Sequence, residues 1–191
     1  MNSTIEIRWH GRGGQGTKTA SLLLADVAFH TGKYVQGFPE YGPERMGAPI
    51  TAYNRISDEP ITIHSNIDKP DIVVIVDETL IGAVPVRAGL KGRETILINS
   101  SRDVETLRRS LNGFSGELFI VDGRRISEET IGANFPNIPM LTAVAKACGL
   151  MTDSEFVEFM KESLGRKFSG KTQIIEGNLQ AVIQTLEELR S

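Results

Sequence analysis

The sequence predicts an α/β protein: three α/β/α layers around a mostly parallel, mixed sheet, with a Rossmann-like glycine loop after the first strand. Three observations carry that class. Ile5 to Trp9 alternates apolar and polar residues and runs directly into Gly11-Arg12-Gly13-Gly14-Gln15-Gly16, after which the apolar residues recur at helical spacing. Later runs, Asp71 to Asp77, Thr95 to Asn99 and Glu117 to Asp122, are apolar on both faces, as buried parallel strands must be. Helical patterns follow or separate those runs, and no repeat, low-complexity tract or linker divides them, so residues 1–191 read as one domain.

The elements follow in order. After the first strand and the glycine turn, TKTASLLLADVAFH places Ala20, Leu23, Leu24, Val27 and Ala28 on one helix face, and Gly32 ends it. Tyr34 to Phe38 resumes an extended pattern, completing a βαβ unit. Pro39 to Pro49 holds too many prolines, glycines and charges for helix, strand or core, and is expected to be a long surface loop, with Tyr41 and Met46 as apolar anchors for docking on another protein. Ile50 to Ile56 and Pro60 to His64 read as two strands of a hairpin around Ser57-Asp58-Glu59, which makes the sheet mixed. DVETLRRSL is a short helix, and an apolar one begins at Asn137. Thr152-Asp153-Ser154-Glu155 has the form of a capping box before a stripe of Phe156, Phe159, Met160 and Leu164. Gly165 to Gly170 reads as a link, and Ile174 to Leu189 as the final helix.

Composition removes several function classes. The chain has 191 residues, 40% hydrophobic and 24% charged, enough to close a core without staples. With 21 Lys+Arg against 24 Asp+Glu the net charge is -3, which offers a polyanion no general attraction, so nucleic acid is not an expected partner. The single cysteine, Cys148, excludes an intrachain disulfide framework and any iron–sulfur cluster held by four cysteines of this chain. MNSTIEIRWHGRG lacks the apolar core of a signal peptide, and no later stretch reaches the roughly 18 apolar residues of a membrane span. A cytoplasmic protein away from membranes is the expectation.

A G-x-G-x-x-G pattern between strand and helix lets backbone approach an anion, which the helix N–H groups and dipole then bind; the same glycines also suit a tight βα turn with no ligand. A dinucleotide fold would place an acid about twenty residues on, and Tyr34 to Phe38 contains none. No Gly-Lys-Ser/Thr follows the glycines, which excludes a P-loop. Arg12 and Lys18 add cationic donors where a phosphate would sit.

Arg8 to Gly16, FPEYGPERMGAP from Phe38 to Pro49, Pro70 to Leu80 and Pro136 to Leu141 together closely resemble the gamma subunit of the 2-oxoacid:ferredoxin oxidoreductases, in order and across most of the chain. The resemblance implies one subunit of a complex that oxidatively decarboxylates a 2-oxoacid with coenzyme A and passes two electrons to ferredoxin. It implies thiamine diphosphate between alpha and beta subunits and [4Fe-4S] clusters on beta and delta, with no cofactor held by this chain alone. It implies that this chain serves the coenzyme A side, with Gly11, Arg12, Gly13, Gly14, Gln15, Gly16, Thr17, Arg45 and Asn137 as the residues at the coenzyme and none catalytic. The second motif is similar to the pyruvate and branched-chain types rather than the 2-oxoglutarate type, and pyruvate is favoured. A stand-alone nucleotide-phosphate-binding module, regulatory or transferase, is the competing reading.

Other residues carry blander expectations. Arg45 is either a ligand or interface contact or a solvated charge paired with Glu44, and Met46 lacks the hydroxyl some relatives place there. Asn137 either caps its helix or touches the coenzyme. His10 and Trp9 read as structural neighbours of the turn, and His30 and His64 carry no assigned chemistry. Asp77-Glu78 are a carboxylate pair at the strand end, suited to acid/base work or to capping through Thr79. Cys148 reads as core packing.

Overall fold

The computed structural model describes residues 4–40 and 46–189. A single six-stranded sheet runs in the order β2-β3-β1-β4-β5-β6. Its strands are β1 (Ile5–Arg12), β2 (Tyr34–Pro39), β3 (Pro49–Ser57), β4 (Ile72–Ile75), β5 (Thr95–Asn99) and β6 (Glu117–Val121). The helices are α1 (Thr17–His30), α2 (Val104–Ser110), α3 (Gly123–Ile131), α4 (Asn137–Ala147), α5 (Asp153–Lys167) and α6 (Thr172–Glu188). β1, β4, β5 and β6 pair in parallel, and β3 lies antiparallel to both β1 and β2. The sheet is therefore mixed because β3 inserts between the two strands of the βαβ unit.

That insertion corrects one expectation. Pro60 to His64 is not a strand: β3 already has β1 on one side and β2 on the other, so no ladder position remains beside it for a hairpin partner. Three boundaries also move. β2 and β3 reach Pro39 and Pro49, so the expected loop is shorter at both ends, and its residues 41–45 lie outside the described part. α5 continues through Gly165 to Lys167, because Leu164 packs in the core and holds that turn down. α3, which follows β6 directly, has no sequence-level forecast here; Asp122 caps it by accepting from the Arg125 N–H.

The two faces of the sheet are covered unequally. α1 and α3 to α6 pack on one face with Ile7, Trp9, Val74 and Leu97 in a large apolar core. The opposite face holds a smaller core of Val73, Ile75, Ile96 and Ile98 beneath Leu107 of α2 and Leu111, which caps that helix. The third layer is thus one short helix plus irregular chain. On β1, Ile7 and Trp9 face the helices, and Arg8 and His10, in register with Val73 and Ile75, face that thinner layer.

Buried polar groups on β1 are fully partnered. Trp9 Nε1 donates to Asn54 Oδ1 at 2.8 Å, and Asn54 Nδ2 donates to the Ser21 carbonyl at 2.8 Å, which ties β1, β3 and α1 together. Arg8, 6% exposed, donates to the carbonyls of Val86 (3.1 Å) and Ala88 (2.6 Å), pinning irregular chain onto the sheet where a helix would otherwise lie. Its Nε donates to His10 Nε2 at 3.1 Å, so His10 is the neutral tautomer with its proton on Nδ1.

Burial, and then the Arg8 charge, push the His10 pKa down from 6.5 to about 4. The unfolded chain therefore takes up this proton first, and the stabilisation is complete above about pH 6.5 and is lost as pH falls towards 4. At about 1.4 kcal/mol per pKa unit this is on the order of 3 kcal/mol. Urea titrations between pH 7 and 5 should show stability falling with acidification, and His10→Gln, which keeps an acceptor for Arg8, should flatten that slope.

Candidate functional site

The site forms where β1 passes into α1. The last β1 residues keep their ladder beyond the strand: the Gly13 N–H donates to the Ala48 carbonyl and the Gly47 N–H to the Gly13 carbonyl, both at 2.9 Å. The chain then folds back sharply, with Gly14 and Gly16 at φ of 96° and 75°, a left-handed conformation that favours glycine. A side chain at Gly16 would also meet Asn137, whose Cγ would lie 2.8 Å from the added carbon. At Gly11 the added carbon would lie 2.0 Å from Thr17 Oγ1, so α1 starts in direct contact with β1. The Thr17 hydroxyl is fully buried there and has no hydrogen-bond partner among the described residues.

Gly16 caps α1 with backbone alone: no side chain hydrogen-bonds to the start of the helix. Beside it opens a cleft of about 400 Å³ lined by Gly13, Gly14, Gly16, Thr17, Lys18 and Met46. A helix start carries a partial positive charge and inward N–H donors, and Lys18 in the first turn adds a full one. Such a lining suits an anion.

Across the turn the chemistry reverses. Asp77, following β4, accepts from Gln15 Nε2 at 2.6 Å and lies 3.3 Å from Arg12 Nε. Its other oxygen accepts from the Thr79 N–H at 2.9 Å and from Oγ1 at 2.5 Å, capping a short 3₁₀ turn over Glu78–Leu80. Gln15 Oε1 meanwhile accepts from the Arg12 N–H at 2.8 Å, and Arg12 also donates to Thr79 Oγ1 and to the Gly47 carbonyl. Burial opposes ionisation of Asp77, but the hydrogen bonds from Thr79 and Gln15 and the Arg12 charge hold its carboxyl below the usual range. Glu78 accepts from Ser100 Oγ and Arg102 Nε. A second cleft of about 230 Å³ on this side is lined by Asp77, Glu78, Ser100, Asp122, Arg124 and Asn134. Each of its carboxylates is paired with an arginine, Asp77 with Arg12, Glu78 with Arg102 and Asp122 with Arg125, so what distinguishes the α1 side of the turn is its uncapped helix start.

The family model for pyruvate ferredoxin/flavodoxin oxidoreductase matches residues 6–188. The chain belongs to that family. It is 42% identical over 186 residues to pyruvate synthase subunit PorC of Thermotoga maritima, covering 97% of this chain and 95% of that protein. It is 45% identical over 166 residues to the common gamma subunit of the pyruvate and ketoisovalerate oxidoreductases of Thermococcus kodakarensis, covering 87% of this chain and 88% of that one. The crystal structure of the pyruvate oxidoreductase subunit PORC from Thermotoga maritima superposes with a TM-score of 0.81 at 38% identity, covering 96% of each chain. The resemblance drawn from the four motifs is therefore correct, as is the mixed α/β fold.

Within this family member the structure gathers Gly11 to Thr17 and Asn137 at one place, while Arg45 lies outside the described residues. Asn137 does not cap α4: Pro136 occupies the cap position and Asn137 is the first helical residue, with its side chain against Gly16. Pro136 disposes of the cap by ending the preceding loop at φ -71°. Arg12 is the last residue of β1 rather than a loop residue, and Asp77 does cap through Thr79. His10 and Trp9 are hydrogen-bonded structural groups, as their position beside the turn implies. His30 stacks on Phe159 at 5.1 Å, and His64 Nδ1 lies 3.3 Å from Gln36 Nε2. Cys148 is partly buried against the main core at the end of α4, where burial pushes its thiol up to about 12. The contacts that sequence reasoning did not find are those of Gly47 and Ala48 with Gly13 and Arg12, because nothing local marks a ladder between residues 34 or more apart.

Replacing the Thr17 hydroxyl by the methyl of Thr17→Val should stabilise the chain by about 1 kcal/mol, because an unpaired buried polar group costs about 1–3 kcal/mol. Gly11→Ala should destabilise it by more than that, since α1 must shift as a unit to clear the new carbon. Thermal or urea melts of the two variants check both signs.

Proposed function

We propose that this chain is the gamma subunit of a pyruvate:ferredoxin oxidoreductase, acting over residues 1–191 as one domain, and that its glycine turn holds a phosphate of coenzyme A. The overall reaction takes pyruvate, coenzyme A and two oxidised ferredoxins to acetyl-coenzyme A, CO2, a proton and two reduced ferredoxins. The observation that carries the coenzyme assignment is the start of α1: no side chain caps it, and Lys18 and glycine backbone line the cleft beside it.

The relatives support the same division of labour. In Thermococcus kodakarensis one gamma subunit is common to pyruvate and ketoisovalerate oxidoreductases. A subunit shared between two oxoacids has no part in choosing between them, and the co-substrate common to both reactions is the natural ligand for it. On this reading thiamine diphosphate, between the alpha and beta subunits, supplies the carbanion chemistry and [4Fe-4S] clusters on the beta and delta subunits carry the electrons, with ferredoxin an indirect partner. Cys148 fits no cluster, being a single thiol that burial keeps protonated. Nothing in the relatives supports the stand-alone regulatory or transferase module. Among the described residues no helix is long and apolar enough to cross a membrane, which agrees with a cytoplasmic complex.

In the assembled complex, Arg12→Ala, which unties the turn from Asp77, Thr79 and the Gly47 carbonyl, and Arg45→Ala should each raise the KM for coenzyme A about ten- to a hundredfold, the range of a charge-assisted contact of about 1.5–3 kcal/mol. The KM for pyruvate should change far less. Steady-state kinetics with each substrate varied in turn decide it, and equal effects on both substrates would remove these arginines from the coenzyme site.

A further inference from the structure

The carboxylate pair at the end of β4 has no part in the function as stated so far, yet one member is built into the glycine turn. Asp77 meets the turn twice, at Gln15 Nε2 and at Arg12 Nε, and Gln15 passes the contact on by accepting the Arg12 N–H through its other amide atom. Its side chain is only 13% exposed, and Thr79 fixes its remaining oxygen, so the carboxylate is an anchored post rather than a surface charge. The two turn residues it holds bracket Gly13 and Gly14, which line the anion cleft.

We propose that Asp77 is a positioning residue for the coenzyme: by fixing Gln15 and Arg12 it sets the backbone of Gly13 to Gly16 in the conformation that receives the phosphate. The proposal rests on the coenzyme assignment made above. It makes a claim opposite in sign to simple electrostatics. A carboxylate near an anion site repels the ligand, so removing its charge alone strengthens binding. If Asp77 orders the turn, removing it weakens binding despite the lost repulsion.

Asp77→Asn separates the two. An asparagine cannot accept on both sides: its amide nitrogen faces either the Thr79 N–H or Gln15 Nε2, and if Gln15 flips to accommodate it, the Gln15 nitrogen then faces the Arg12 N–H. Every arrangement sets two donors against each other. Adding Gln15→Glu removes the conflict along this link, because a carboxylate at 15 accepts from both the Arg12 N–H and the new amide, and the total charge equals that of the parent. The exchange moves the charge and restores the hydrogen bonds through residue 15, while the Arg12 guanidinium gives up its Asp77 ion pair and keeps Thr79 Oγ1 and the Gly47 carbonyl.

The test uses the assembled complex, with coenzyme A and pyruvate varied separately. Asp77→Asn should raise the KM for coenzyme A about tenfold and that for pyruvate less than twofold, and the Asp77→Asn/Gln15→Glu pair should bring the coenzyme value back to within about threefold of the parent. Gln15→Leu, which cuts the same link and leaves Asp77 paired with Arg12, should give the same split if Asp77→Asn fails to assemble. An unchanged or lower coenzyme KM in both single variants, an equal rise for pyruvate, or a double variant no better than Asp77→Asn overturns the proposal. Gly14→Asp distinguishes the reason. Aspartate tolerates the left-handed backbone better than most residues, and the neighbouring Met46 is 87% exposed and free to swing aside. A coenzyme KM raised by Gly14→Asp but not by the Asp77 and Gln15 variants removes the positioning role alone. A coenzyme KM that Gly14→Asp leaves unchanged removes the coenzyme from the turn, and the proposal with it.

Discussion

Everything at the site follows from one topological constraint, the position of β1 beside β4. From β1 the chain leaves through α1 towards β2 and β3, and it returns on the other side through β4, β5 and β6. Connections that depart in opposite directions from neighbouring strands leave a crevice at their carboxyl ends, where no crossing segment can lie. β1 contributes Arg12 and the glycine turn to that crevice, and β4 contributes Asp77. The two strands pair over only Ile7 to His10 with Ile72 to Ile75, and the Val76 N–H donates the last backbone bond to the His10 carbonyl, so past that point, among the described residues, their ends are joined by side chains. The link from Asp77 to Gln15 and Arg12 is what closes the gap.

The same strand explains why the rest of the molecule is lopsided. One face of β1 carries Ile7 and Trp9 into a core shared with five helices, and the other carries Arg8 and His10 into a layer with little regular structure. A helix brings its own hydrogen bonds, whereas irregular chain arrives with unpaired carbonyls, and buried carbonyls need donors. Arg8 is suited to that task because its guanidinium offers five donors from one side chain. His10 serves as the acceptor that the guanidinium lacks among its neighbours. Its neutrality is a consequence: a second positive charge in contact with Arg8, out of water, is unfavourable. The thin layer is held by directed polar contacts, and the thick layer by apolar area.

These features were unequally legible in the sequence. The strands β4 and β5 were legible because burial on both faces leaves runs with no polar interruption, and α5 because a capping box is a local device, with Thr152 and Glu155 satisfying each other. β6 was found by the same apolar run but is not buried as that run implied: it is the edge strand, and Phe119 is exposed on it. The hairpin expected at Pro60 to His64 failed for a non-local reason: its alternation is real, but ladder positions are allotted by the whole sheet, and β2 had taken the place. The capping alternative for Asn137 failed similarly, since the preceding Pro136 already occupied the cap and the asparagine was left for Gly16. At the site, the turn and its helix could be read directly. The partners of the turn could not, because Asp77 lies 62 residues from Gln15 in the chain. Only the capping half of Asp77, through Thr79 two residues on, left a local trace.

On the coenzyme assignment proposed above, this subunit contributes to catalysis by holding a substrate in place. Coenzyme A reacts through its thiol, and its phosphates take no part in bond making. Binding energy gathered at a phosphate is useful only if the site holding it is rigid, because energy spent on ordering the protein is not available to place the thiol. In this chain, rigidity at the turn cannot come from side-chain packing, since glycines occupy most of it. It comes from outside: the Gly13 ladder to residues 47 and 48, the contact of Gly16 with Asn137, and the Asp77 link. Those supports arrive from three separate parts of the chain, so the turn is ordered only once the whole sheet has formed, and the glycines remain free to admit a ligand close to the backbone.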